Sequence, residues 1–238
     1  MADYAAPLPA HALDTPRVAI RPLLRNVYLW MTAGLGLTAV VAYFCANTQA
    51  LLDLWDSPWI AFGALIGQLI LVVVLSTQIM RLSPAAATLI FLAYAALTGF
   101  SLTGIVLYYD VGTLTIAFAT AASLFGVMSI VGAFTKLDLT NVRTYLFIGL
   151  IGLLVAMLIN IFLGSDTFDI VISIIGVLIF TGLTAADTQK IVRLSSDPRL
   201  EGDGGVLLAR LSIIGALMLY LDFLNLFLFL LRIFGRRQ

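Results

Sequence analysis

Two aspartates stand where a carboxylate is hard to place. Asp187 and Asp222 each fall inside a long apolar stretch. A charge at a bilayer centre costs about 2.5 to 3.5 kcal/mol on insertion scales, so such a residue faces the protein interior and marks a pathway or a site. Each brings a neutral oxygen: Thr184 lies three residues before Asp187, and Asn225 three residues after Asp222. That spacing puts each pair on one helix face. Two carboxylates that approach on antiparallel helices do not both ionise cheaply, so they are expected to share a proton and sense pH. The same oxygen set suits a hard cation such as Ca²⁺, with Asp187 and Asp222 as its ligands, and cation and proton would compete. Zinc chemistry is not expected, because the chain offers only His11 and Cys45 as soft ligands.

The elements that must position these residues are membrane helices. Of 238 residues, 61% are hydrophobic and 11% charged, against about 25% charged in a soluble domain. A span needs about 20 apolar residues. The apolar runs predict seven helices, at about 27–46, 59–80, 84–108, 111–134, 145–163, 168–191 and 206–234, after a polar tail over 1–22. No room remains for a separate catalytic domain. The runs are continuously apolar, unlike the alternating strands of a membrane barrel, so the fold class is an all-α integral membrane bundle. Pro7, Pro9, Pro16 and Pro22 make the tail too polar for a cleavable signal peptide. His11 lies there without a partner group, and Cys45 reads as a small buried hydrophobe.

Orientation follows from the basic residues. The tail and the even loops collect Arg17, Arg21, Arg25, Arg81, Lys136, Arg143, Lys190, Arg193, Arg199 and Arg210. The odd loops hold only acids: Asp53, Asp56, Asp110, Asp166 and Asp169. A cytoplasmic amino terminus is therefore expected. Arg232, Arg236 and Arg237 would then lie outside, unless the last run re-enters instead of spanning. With 13 basic against 13 acidic residues there is no basic stripe for nucleic acid. Gly63 and Gly67 form a GxxxG pair, and Gly34 and Gly36 sit on the first helix; both sets read as helix-packing surfaces. Gln68, Ser76, Thr77, Ser101, Ser123, Ser129 and Asn160 read first as interhelical hydrogen bonders. Trp30, Trp55, Trp59, Tyr108, Tyr109 and Tyr145 read as an interfacial belt.

The stretch Leu217-Met218-Leu219-Tyr220-Leu221-Asp222-Phe223-Leu224-Asn225-Leu226-Phe227, followed by Leu230-Leu231-Arg232-Ile233-Phe234-Gly235, resembles the carboxy-terminal signature of the Bax inhibitor-1 family. The Asp187-Thr188-Gln189-Lys190-Ile191 ending of helix six and the Tyr28-Leu29-Trp30-Met31 start extend the resemblance over the whole seven-helix region. It implies a central seventh helix wrapped by two layers of three, in a bacterial-type member of the inner (plasma) membrane. It also implies a pH-sensitive calcium leak, with Asp187 and Asp222 as the paired sensor and Arg81 as the latch partner of one of them. Where some members with demonstrated leak carry an acidic residue within helix two, this chain has Gln68, so a salt bridge from there to Arg232 is unavailable as a gating device.

Two other classes compete. The resemblance also implies a non-transporting regulator that binds a membrane protein such as an ATP-dependent protease, with the polar tail contributing. An intramembrane aspartyl protease would use the same two aspartates, but Thr184-Ala185-Ala186 precedes Asp187 where such enzymes resemble a Gly-x-Gly-Asp pattern. No Ser-His, Cys-His or phosphate-loop constellation occurs, so no enzymatic activity and no resident cofactor are expected.

Overall fold

The structure, a computed structural model, describes residues 17–196, 200 and 205–235. Most of the polar tail with His11, the acids and breakers Asp197, Pro198 and Asp203, and Arg199, Arg236 and Arg237 lie outside the described residues. The described chain is built from helices: α1 (Arg17–Ala46), α2 (Gln49–Trp55), α3 (Pro58–Gln78), α4 (Pro84–Ser101), α5 (Thr103–Tyr108), α6 (Val111–Phe134), α7 (Thr140–Leu163), α8 (Asp166–Leu194) and α9 (Val206–Gly235). Seven segments are long and apolar enough to cross a membrane, with α4 and α5 together forming the third.

Local chemistry sets the ends. Ser83 accepts the Ala86 amide at 3.2 Å while Pro84, which has no amide proton to lose, opens α4. Asp110 caps α6 through the Thr113 amide at 2.9 Å, and Ser165 caps α8 through Phe168. Gly164, at φ 56°, closes α7 in the left-handed region that a side chain would resist.

Three spans differ from the sequence expectation. The first begins at Arg17 instead of residue 27, so helix replaces the last residues of the expected polar tail over 1–22. The third breaks at Leu102, where the ring of Trp55 from α2 packs so closely on Gly104 that a Cβ there would meet it at 2.9 Å. The fifth begins at Thr140 instead of residue 145, which brings Arg143 into its first turns. The last run is one unbroken helix of 30 residues, about 45 Å at 1.5 Å per residue, with no break of the kind a re-entrant segment needs and length enough to cross a membrane.

The packing places α9 at the centre. In its most apolar window 61% of residues are buried, against 6% for α7 and 11% for α3. Helix α9 packs on α1 and α4 on one side and on α6 and α8 on the other. Within the first row α4 lies between α1 and α3; within the second α8 lies between α6 and α7. These are the two layers of three that the resemblance implies. In each, the third span of a triplet sits in the middle and the second lies outermost.

Glycines permit the tightest crossings. A Cβ at Gly99 of α4 would sit 2.5 Å from the Thr38 carbonyl of α1, and Gly132 of α6 lies against the main chain of Ala185 on α8. The expected packing pairs behave differently. Gly34 faces the rings of Phe91 and Tyr220, and Gly67 meets Leu97, but Gly36 and Gly63 have nothing within 4 Å. Most of α3 faces outward, so its GxxxG pattern lies largely on the lipid side. Cys45 is buried, as expected.

Candidate functional site

Helices α8 and α9 carry the two carboxylates. Asp187, 6% exposed, lies seven residues before the end of α8, and Asp222, 4% exposed, lies in the middle of α9. Asp187 and Arg143 are the charged groups close enough to act on Asp222 electrostatically, and no hydrogen bond among the described residues joins its side chain to either. Asp187 Oδ1 accepts a hydrogen bond from Arg143 Nε of α7. Asp222 makes no ion pair with a described residue, and its Oδ2 is buried without a hydrogen-bond partner. The cluster therefore holds two carboxylates and one guanidinium. The Arg143 side chain is 35% exposed against 8% for Asp187, so the arginine links the buried acids to the surface.

A clamp behind this cluster explains why α7 starts early. Gln189, two residues past Asp187, donates from Nε2 to the Leu137 carbonyl at 2.7 Å and accepts the Leu139 amide at Oε1 at 2.9 Å. Arg193, one turn further, donates to Gln189 Oε1, to Asp138 Oδ1 at 2.7 Å and to Thr140 Oγ1 at 2.8 Å. The α6–α7 link is thus fastened to the end of α8, and the first turn of α7 is delivered beside Asp187. Hydrogen bonds from the Thr140 side chain and amide, and then from Arg193, hold the exposed Asp138 carboxyl well below the usual carboxylate range.

The other sequence candidates are placed as follows. Thr184 is fully buried one turn before Asp187 and donates to the Phe180 carbonyl. Thr188 continues that face and donates to Ser129 of α6 at 3.4 Å. Asn225 is half-buried on the turn after Asp222 and donates to the Leu221 carbonyl. Arg81 does not stand beside either carboxylate: it is exposed on the turn after α3, and the arginine at Asp187 is Arg143. Arg232 lies 3.6 Å from Asp169 of α8 and over the Phe229 ring. Gln68 ties α3 to α4 by donating to the Leu97 carbonyl at 3.2 Å and to Ser101 Oγ at 2.5 Å. Thr77 and Ser123 bond back to their own helices.

Sequence reading missed three features. Arg143 lay in what looked like a polar link. Gln189 was read only as part of a motif. The third is a polar knot on the opposite side of α9, where the Tyr220 hydroxyl, fully buried, meets Thr38 Oγ1 at 2.7 Å while Thr38 also bonds the Gly34 and Ala95 carbonyls. The Tyr220 ring packs edge-on against Phe91 and Tyr94. Phe223, next to Asp222, packs edge-on against both Phe118 and Phe125. Beyond Phe118, toward the amino-terminal end of α6, an apolar cavity of about 610 Å³ opens between α1, α5, α6 and α9.

Among the described residues no group of three or more His, Cys, Asp or Glu gathers. The oxygens at the site are those of the two carboxylates, the donor type of a hard cation.

The chain compares well with known proteins over nearly its full length. A family profile described as "Inhibitor of apoptosis-promoting Bax1" matches residues 20–238. The inner membrane protein YbhL of Escherichia coli (strain K12) is 42% identical over 224 residues, covering 94% of this chain and 95% of that protein. A protein of Deinococcus radiodurans is 43% identical over 219 residues, covering 92% of each. A membrane protein of Streptococcus pyogenes serotype M3 is 43% identical over 227 residues, covering 93% and 95%. With the seven spans, the central α9 and its buried aspartate in place, these matches identify the chain as a multi-pass integral membrane protein of the Bax inhibitor-1 family.

Proposed function

We propose that this protein is a pH-sensitive cation leak, with calcium as the ion, whose gate is the Asp187 and Asp222 pair. The observation that carries the reading is the charge balance of the cluster. Two buried carboxylates stand against one arginine, which pairs with Asp187 alone, so full ionisation leaves the charge of Asp222 uncompensated inside the bilayer. A missing positive charge at that depth is supplied by a proton or by a cation, and the two exclude each other. Asp222 sits at mid-helix with one oxygen unpartnered, so it is the position where the exchange takes place. Because α9 touches four other spans, a change of charge on it is felt by both layers of the bundle.

The same reading sets the surroundings. Lys136, Arg143, Lys190 and Arg193 cluster at the end of the bundle where the acids connect to the surface, and the positive-inside rule makes that end cytoplasmic, with the amino terminus on the same side. The relative named as an inner membrane protein supports the bacterial inner membrane as the location. In this reading the carboxylates bind ions and cleave no bond.

The test is calcium flux into liposomes that hold the purified protein and a calcium dye, comparing wild type with Asp222→Asn at acidic and neutral pH. Flux that falls as pH falls in wild type, and loses that dependence in Asp222→Asn, is the expected result. If neither flux nor its pH dependence changes in Asp222→Asn, the reading is wrong.

A further inference from the structure

The carboxylate site already contains a cation that belongs to the chain. Arg143 reaches Asp187 through one nitrogen on one carboxylate oxygen, without the two-pronged geometry that makes arginine pairs hard to open. Its side chain is 35% exposed, so the guanidinium can exchange that carboxylate for water without crossing the core. Its helix, α7, packs chiefly on α8 and has the least buried apolar window of the seven spans. The base of α7 is nevertheless fixed, because Gln189 and Arg193 hold residues 137–140 against α8. The arginine is thus partly exposed at its tip and anchored at its root.

No other described cation reaches Asp187. From α9 the facing group is Asp222; from α6 it is the neutral Ser129 hydroxyl beside Thr188; α1 forms no ion pair with α8 among the described residues. Resting on the functional reading above, we propose that Arg143 is a tethered competitor for the cation position: it occupies Asp187 when the site is empty and moves to water when an ion arrives. An ion must displace it, so Arg143 sets how tightly the site binds.

The sign is fixed by electrostatics. Removing a positive charge beside two carboxylates strengthens the binding of every other cation, the proton included. In full-length protein reconstituted in liposomes, Arg143→Gln should bind calcium more tightly, by on the order of tenfold, the range between an exposed and a buried ion pair. Arg143→Lys should return the affinity toward wild type. A second route avoids reliance on one variant. Arg143→Cys, modified with a cationic aminoethyl methanethiosulfonate, should resemble wild type, whereas a neutral methyl reagent should reproduce Arg143→Gln.

Calcium affinity unchanged in folded Arg143→Gln, or cationic and neutral adducts that behave alike, would overturn the competitor role and leave the leak intact. Wild-type protein that neither binds nor passes calcium would overturn both readings.

Discussion

Gly132 of α6 lies directly against the main-chain carbonyl of Ala185 on α8, two residues before Asp187. The crossing leaves no room for a side chain on α6, so the carboxylate is placed by contact between two backbones. Gly132→Ala would push a methyl group into rigid main chain, and such overpacking costs about 1–3 kcal/mol or more. A lower melting temperature in detergent is expected. Gly126→Ala on the same helix, where nothing lies within 4 Å, should leave it unchanged.

Tyr220 separates a hydrogen bond from a volume. Tyr220→Phe loses the bond to Thr38, but the Thr38 hydroxyl keeps its carbonyl acceptors, so the loss should be about 1 kcal/mol. Tyr220→Ala also empties the space against Phe91 and Tyr94 and should cost about 3–5 kcal/mol, as large aromatic truncations do. Reversible unfolding in mixed micelles would measure both. Equal losses would show that the hydroxyl and not the ring holds α9 against α1 and α4.

Asp138 gives a pH prediction with a definite sign. Its folded-state pKa is depressed, so its stabilising effect is fully present above the ordinary carboxylate value of about 3.9 and fades only as pH falls below it. Between about pH 5 and 8 the Asp138 contacts do not titrate. Asp138→Asn should therefore speed hydrogen exchange at residues 137–140 at neutral pH, yet leave the midpoint of any pH-dependent flux in that window where it was. A displaced midpoint would make the clamp part of the sensor.

Gln68 is expected to behave as a strut. It joins α3 to α4 through Leu97 and Ser101, and interhelical hydrogen bonds in membranes average about 0.6 kcal/mol. Gln68→Leu should lower stability by about that amount and leave calcium flux per folded protein unaltered. Altered ion selectivity would instead place Gln68 on the ion path.

The seven spans were legible because bilayer thickness dictates the length of each apolar run, and Asp187 and Asp222 were legible because so few charges fall inside those runs. Arg143 was not. Residues 135–144 have the composition of a link, and what turns part of them into helix is a glutamine that acts across a sequence separation of 50 residues. Tyr220 sits in an unbroken apolar stretch, where nothing announces that its hydroxyl has a partner on α1. The GxxxG pair on α3 shows the converse: a packing motif states that a face permits close approach, and the neighbouring helices decide whether anything approaches.

The position of α9 bears on how the protein is made. The helix that fills the centre leaves the ribosome after the six spans that surround it, so those spans are made before the element they enclose. Until then the rows α1–α4–α3 and α6–α8–α7 lack the helix that both pack on, and Asp187 has Arg143 but not Asp222. Biogenesis must hold this open half-product until the final segment slots in, and a chain cut short before residue 206 would lose its core along with its tail.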